Sequence, residues 1–266
     1  MNGSPPVRRV HSRDNPDYRL CLRLARGKPP RHERRVLLEG LHLCQAWLAH
    51  QGRPELVLAG QTALATAAVQ ALWQAAAAAP RVILDDALGG ALSQVPEGPA
   101  LFFLVEPPRP IVPGRIRQTC LWLDRVQDPG NLGTLLRTAA AAGLGQVFLS
   151  EGCAAAWSPK VLRSGQGAHF VLELYENLDL SALLPRLDVP LAATTLQGGR
   201  NLYSQDLRPC CAWLFGNEGR GVSPELMQQS QWRLWIPQAA RVDSLNVAAA
   251  AAICLFEQRR QREANQ

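Results

Sequence analysis

The chain reads as an α/β protein, a small α/β domain followed by a larger one on a mainly parallel sheet with helices on both faces. Two observations predict this. Apolar strand-like runs alternate with helical stretches along both halves of the 266 residues. A proline-rich stretch at 106–114 separates the halves, with prolines at 107, 108, 110 and 113. Those prolines remove backbone donors and stiffen the segment into an extended linker. The expected organisation is a basic arm over 1–13, a first domain over 14–105, a linker over 106–118 and a second domain over 119–266.

In the first half, Asp14 is placed to cap a helix running to about Arg26, with Gly27 and Pro29 ending it. β-type runs follow at 36–39, 55–59, 82–85 and 100–105, with helical stretches near 40–50, 62–78 and 85–94. In the second half, strands are expected at 119–126, 146–150, 170–176, 190–196, 210–215 and 233–237, and a last helix over about 246–262. Ligands of parallel sheets sit beyond the carboxyl ends of the strands. Chemistry is therefore sought just after each strand.

Composition narrows the classes. With 47% hydrophobic and 19% charged residues the chain is neither disordered nor fibrous. Its longest apolar run, 247–256, is well short of the roughly 20 residues that span a bilayer, so no membrane segment is expected. The arginine-rich N-terminus lacks an apolar core followed by a cleavage site, unlike a secretory signal. The seven cysteines form no C-x-x-C pair, so neither a disulfide framework nor a zinc or other metal site is expected. The Cys210–Cys211 pair lies in an apolar run and reads as buried strand. A reducing cytoplasm is the expected location.

The net charge is +6, and residues 1–35 alone hold ten basic against three acidic residues, so the positive excess lies there. Arg8, Arg9, Arg13, Arg19, Arg23, Arg26, Arg31, Arg34 and Arg35 are the candidates for contact with a polyanion such as RNA, because a guanidinium fork suits phosphate. A solvated arm is the alternative reading of the same residues.

Three stretches after strands carry candidate chemistry. After 119–126, Asp128-Pro-Gly-Asn131 turns into a helix with Asn131 in a capping position, and Arg137 follows in the second helical turn. Taken alone, Arg137 reads first as a surface arginine. After 210–215, Gly216-Asn-Glu218-Gly-Arg-Gly221 is a loop whose backbone can approach a ligand closely. After 233–237, Ser244 or Asp243 can cap the last helix, with Asn246 at its mouth and alanines 248–252 beyond. Read alone, that stretch is simply a well-capped core helix. No G-x-G-x-x-G follows any strand, so an ordinary dinucleotide site is not supported. His169, before an apolar strand, reads as structural.

Together and in this order, the stretches resemble the SpoU (TrmH) branch of the SPOUT RNA methyltransferases. That family's motifs have the forms N-x-G-x-x-x-R, G-N-E-x-x-G and I-P-x(7)-S-L-N. Here they read Asn131-Leu-Gly133-Thr-Leu-Leu-Arg137, Gly216-Asn-Glu218-Gly-Arg-Gly221, and Ile236-Pro237 through Ser244-Leu-Asn246. Ser158-Pro-Lys-Val-Leu-Arg163-Ser-Gly-Gln-Gly167 resembles the family's intervening segment. The third motif departs in having Ala239 and Ala240 where a glycine often stands. Ser12-Arg-Asp-Asn-Pro16 and Arg34-Arg-Val-Leu-Leu-Glu39-Gly resemble the L30e-like RNA-binding domain that often precedes this catalytic domain.

The resemblance implies a trefoil-knotted parallel sheet at 119–266 and transfer of a methyl group from S-adenosylmethionine to a ribose 2′-hydroxyl. It implies catalytic roles for Arg137, Asn131, Glu218, Ser244 and Asn246. Glu218 would fix Arg137 or take a proton through water. The cofactor would be held by Thr195, Leu196, Gln197, Gly198, Leu214, Gly216, Asn217, Gly221, Ile236, Leu245 and Asn246. It implies a homodimer that sets one copy's first motif near the other's pocket, and RNA as substrate, ribosomal rather than transfer RNA. Three alternatives are a catalytically inactive RNA-binding or ribosome-assembly factor of this fold, a methyltransferase acting on a base, and an interaction protein whose arm binds acidic partners.

Overall fold

In a computed structural model, residues 5–95, 97–196, 198–239 and 244–264 are described. They divide into two compact units, one within 1–108 together with 157–162 and the other within 109–156 and 163–266. Gln197, expected at the cofactor, and Asp243, a candidate cap, lie outside the described residues.

The first unit runs β1 Val7–Val10, α1 Pro16–Ala25, β2 Val36–Glu39, α2 Leu41–His50, β3 Leu56–Gly60, α3 Ala67–Ala75, β4 Arg81–Leu84, α4 Asp86–Leu92 and β5 Leu101–Val105. Its sheet has the order β1-β4-β3-β5-β2 and is mixed: β5 runs antiparallel to both β3 and β2. α1 and α4 bury Tyr18, Cys21, Leu24, Leu88 and Leu92 against one set of strand residues, including Leu58, Val82 and Phe102. Tyr18 anchors the two helices by donating from its hydroxyl to the Leu88 carbonyl at 3.1 Å.

Two expectations need correction here. Residues 7–10, expected in an arm, form the edge strand β1, with Val7 opposite Arg81 and Val10 opposite Leu84. Val-Arg-Arg-Val is too short and charged to show strand periodicity, and pairing with β4 decides it. The cap of α1 is Asn15, not Asp14: its side chain accepts from the Tyr18 amide, and Pro16 opens the helix.

The second unit runs β6 Cys120–Asp124, α5 Pro129–Ala141, β7 Gln146–Ser150, α6 Pro159–Gly165, β8 Glu173–Leu178, α7 Leu180–Leu183, β9 Leu191–Thr194, β10 Arg200–Asn201, β11 Ala212–Gly216, α8 Pro224–Gln228, β12 Trp232–Trp235 and α9 Val247–Glu263. Of α6, residues up to Leu162 belong with the first unit. The seven-stranded sheet has the order β10-β12-β9-β11-β6-β7-β8, and every pairing is parallel. Its central strands are apolar throughout because both faces are covered. Trp122, Phe148 and Leu214 pack with Leu180, Leu183 and Leu226 from α7 and α8. On the other face Trp213 donates from its indole to Gln258 of α9 at 2.8 Å.

The expected strand at 170–176 begins later, at Glu173, because Gly167 at φ 84° starts a single 3-10 turn over Ala168–Phe170. That turn buries His169, whose Nε2 meets the Ala156 carbonyl at 2.8 Å. Burial pushes the imidazole down to about 4 against the lifting effect of that hydrogen bond. Cys211 is buried as expected, but Cys210 is exposed and both precede β11 rather than lying in it. Among the described residues no helix is long and apolar enough to cross a membrane, and no group of three or more metal-ligating side chains gathers.

Candidate functional site

Sheet order brings the site together. β12, β9, β11 and β6 are neighbours and all parallel, so the loops that follow them emerge at one edge. Each loop is stiffened by its own residues and then tied to the others.

After β6, Asp128 caps α5: its Oδ1 accepts from the Asn131 amide at 2.8 Å and Pro129 occupies the first turn. Asn131 is therefore inside the helix and not its cap, and its side chain is released for other work. After β11, the chain doubles back through paired Asn217 and Gly221 backbone bonds of 3.0 and 2.8 Å. Gly216 is required there, because a Cβ would collide with the backbone of Gly221 and Val222. Gly221 turns at φ 68°. After β12, Asn246 itself caps α9, accepting from the Ala248 amide at 2.9 Å. The cap expected at Ser244 or Asp243 thus falls to Asn246, the residue directly before the first helical turn.

The three motifs meet in a chain of side-chain hydrogen bonds. Asn246 Nδ2 donates to Asn131 Oδ1 at 2.9 Å, and Asn131 Nδ2 donates to Glu218 Oε1 at 3.1 Å. Glu218 also accepts from the amides of Asp128 at 3.0 Å and Gln127 at 3.2 Å. Burial alone would raise the Glu218 carboxyl, but Asn131 and these amides outweigh it and hold the group below its ordinary value.

These loops border a cleft of about 530 Å³, within the common range for small-molecule sites, about 300–1,000 Å³. Of the residues expected to act there, Asn131, Glu218, Ser244, Asn246, Thr195, Leu196, Gly216, Asn217, Gly221, Ile236 and Leu245 all border it. Three others do not. Leu214 points into the core beside Trp122, since strand alternation gives the cleft Phe215 instead. Gly198 is exposed outside it. Arg137 lies on an exposed face of α5 away from the cleft, and among the described residues no carboxylate pairs with it. Within the chain Glu218 bonds Asn131 and not Arg137.

Sequence reasoning missed Trp235, Gln238, Arg220 and Ala250 in the lining. Ala250 was findable, lying one helical turn beyond Asn246. The Gln238 Oε1 atom is buried with no hydrogen-bond donor among the described residues, which no local pattern signals.

The nine arginines expected at RNA divide. Arg8 pairs with Asp17 at 2.8 Å, and Arg35 is held by Glu33 at 2.8 Å and is half-buried. Arg35, like Arg8, thus carries an ion pair within the unit. Arg9, Arg13, Arg19, Arg23, Arg26, Arg31 and Arg34 are exposed, with Arg23 bonded to the Lys28 carbonyl.

A parallel sheet with one cleft at its carboxyl edge, walled by three interlocked motif loops, defines the class of α/β enzyme-like folds with a loop-built cofactor site. The chain belongs to the SpoU rRNA Methylase family, whose profile matches residues 118–256. It is 41% identical over 145 residues to an uncharacterised tRNA/rRNA methyltransferase of Synechocystis, covering 53% of each chain. It is 41% identical over 142 residues to the 23S rRNA (guanosine(2553)-2′-O)-methyltransferase RlmP of Bacillus subtilis, covering 52% of this chain and 57% of that one. The aligned stretch therefore spans about half the length of these relatives. An AdoMet-bound rRNA methyltransferase from Sinorhizobium meliloti superposes with a TM-score of 0.83 at 27% identity, covering 96% of this chain and 98% of that one. The expected α/β fold and family membership are borne out.

Proposed function

We propose that this protein is an S-adenosylmethionine-dependent RNA methyltransferase acting on a ribose 2′-hydroxyl, in ribosomal rather than transfer RNA. The observation that carries this reading is the Asn246–Asn131–Glu218 chain, which joins all three motifs at one cleft. Similarity to rRNA 2′-O-methyltransferases over the same residues supports it.

The cleft fits the cofactor. Leu196, Ile236 and Leu245 offer apolar surface, and the orphaned Gln238 Oε1 is an acceptor suited to an amino group such as that of adenine. Gly216, Asn217 and Gly221 bring backbone close, and Thr195 adds a hydroxyl. When bound between Leu196, Ile236 and Leu245, the cofactor would supply a methyl group made electrophilic by its sulfonium, for transfer to the ribose oxygen.

The chain's own residues orient and stabilise. Asn131, held from both sides, presents a fixed carboxamide at the cleft, with Ser244 and Asn246 shaping its mouth. Glu218, with its lowered pKa and three donors, is a positioning group rather than the proton acceptor, and the hydroxyl proton leaves to solvent. A guanidinium stays charged, so Arg137 steadies the adjoining phosphate and the developing alkoxide. Because Arg137 lies away from its own cleft, the reading includes a homodimer in which Arg137 serves the cleft of a second copy.

Seven exposed arginines of the first unit's N-terminal segment, Arg9, Arg13, Arg19, Arg23, Arg26, Arg31 and Arg34, form the RNA contact of an L30e-like domain, with 119–266 as the catalytic domain and a linker between. A trefoil knot at 119–266 is supported by α9. After leaving β12 it lies across the 205–209 connector, where Gln258 Nε2 donates to the carbonyls of Leu207 and Pro209 and Gln261 Nε2 to that of Gln205. The cytoplasm is the proposed location.

The position of Arg137 also favours a second reading, an inactive RNA-binding assembly factor. Incubation with methyl-labelled S-adenosylmethionine and undermodified RNA, followed by nucleoside analysis, decides between them. Label is expected in a 2′-O-methylnucleoside and is lost in Arg137→Ala. Label on a base sinks the ribose assignment, and RNA binding without label favours the second reading.

A further inference from the structure

Beside the cleft lies a second hollow of about 160 Å³, lined by Arg125, Gln127, Asn217 and Arg220, with room for about five waters at about 30 Å³ each. Asn217 and Arg220 border both spaces. Two arginines and two carboxamide residues line one hollow, a donor-rich site that stays net positive through Arg220 even with Arg125 paired to Asp124.

The site is built rather than incidental. Arg125 holds φ at 55°, in the left-handed region that favours glycine. Its amide is fixed by Ser150 Oγ at 2.8 Å, and its stem lies against Gly152. Its guanidinium is aimed by Asp124, only 5% exposed, which accepts from Nε at 3.0 Å and from Nη2 at 3.3 Å and leaves the Nη1 donors and one Nη2 N–H for a ligand. Asn217 then clamps the two arginine-bearing segments together. Its Nδ2 donates to the Arg125 carbonyl at 2.8 Å, and its Oδ1 accepts from the Arg220 amide at 3.0 Å. Arg220 has no carboxylate partner among the described residues. An arginine kept in a backbone conformation it disfavours, its stem supported and its head oriented, points to a use for the side chain.

We propose that Arg125, Gln127 and Arg220 form an oxyanion site that takes a phosphodiester of the RNA strand being modified. This rests on the functional reading above. A ribose 2′-oxygen neighbours the 3′-oxygen that carries the phosphodiester, so a nucleotide presented to the cleft brings a phosphate with it. The two guanidiniums bind that group and set the register of the strand, while sequence is read elsewhere. The competing oxyanion is the amino-acid carboxylate of the cofactor.

The test measures binding of a single-stranded ribosomal RNA fragment across a salt series for the full chain, Arg125→Gly and Arg220→Gln, with cofactor affinity by calorimetry. Each substitution is expected to weaken RNA binding about tenfold at fixed salt and to flatten the slope of log affinity against log salt by about 0.7. Arg125 lies outside the cleft, so cofactor affinity in Arg125→Gly should stay within about twofold. Unchanged slope and RNA affinity in both variants overturns the proposal while leaving the methyltransferase reading intact. A loss of cofactor affinity in Arg125→Gly with an unchanged salt slope assigns the site to the carboxylate and overturns it equally. A wild-type chain that binds neither RNA nor cofactor removes the functional reading and this proposal together. Should Arg125→Gly unfold, since Asp124 keeps the Ser223 amide but loses its counter-charge, the solvent-facing Arg220→Gln decides alone.

Discussion

Asn131 is a residue whose role follows from what its neighbour has already taken. Because Asp128 supplies the cap of α5, the Asn131 carboxamide can reach Glu218 on one side and Asn246 on the other. Asn246 does two jobs with one side chain, its oxygen capping α9 and its nitrogen holding Asn131. Asn246→Ala is expected to cost about 1 kcal/mol through the lost cap, lowering the unfolding temperature by about 3 °C. It should also weaken cofactor affinity, and normal affinity in a calorimetric titration would show that the asparagine serves the helix alone. His169 makes a pH prediction. Its folded pKa of about 4 lies below the unfolded value of 6.5, so the unfolded chain binds the proton first. Stability is full above about pH 6.5 and falls as pH drops toward 4, by up to about 3 kcal/mol. His169→Gln should flatten that part of the pH–stability curve; an unaltered curve would place the acid sensitivity elsewhere.

At the scale of elements, α9 and the loop after β11 carry the arrangement. Gln258 is 2% exposed and satisfies the Trp213 indole and the carbonyls of Leu207 and Pro209. Gln258→Leu leaves the buried Trp213 indole and Leu207 carbonyl without partners, while the Pro209 carbonyl keeps Arg262 Nη2 at 3.0 Å, and a loss of about 2 kcal/mol is expected in denaturant unfolding. A loss below about 0.5 kcal/mol would mean that α9 can shift to let water in. Gly216→Ala drives a methyl group into the backbone of Gly221 and Val222, costing about 3 kcal/mol and opening the Asn217–Gly221 pairing. Cofactor binding should disappear with it, and retained binding would show that the loop can re-form around the methyl group. Most of these elements were legible locally. Strands β6, β7, β9, β11 and β12 all lie within or across the runs read from apolar patterning, because both faces of the sheet are covered. β1 and β10 were not, since a charged four-residue strand and a two-residue strand have no period to read.

For the whole molecule, the separation of Arg137 from its own cleft makes a prediction about assembly. If Arg137 serves a second copy, Arg137→Ala and Glu218→Ala are each inactive alone. Mixed and allowed to exchange, they form heterodimers with one intact site, and about a quarter of the wild-type rate returns for a two-fold dimer. A mixture no more active than its parents would confine each site to one chain. Sedimentation should find twice the 29.1 kDa chain mass.

The sequence by itself determined the α/β class, the position of most strands, and the three motifs with the residues that border the cleft. These are local properties: apolar runs, turn residues and fixed spacings that hold whatever the rest of the chain does. Only the tertiary structure decided which motif residue holds which. Asn246 and Asn131 are 115 positions apart and Asn131 and Glu218 are 87 apart, and they meet because β12, β9, β11 and β6 lie side by side. That strand order is set by long-range pairing, which leaves no trace in local periodicity. For the same reason the Glu218–Asn131 bond and the Arg125–Arg220 hollow follow only from the pairing of β6 with β11.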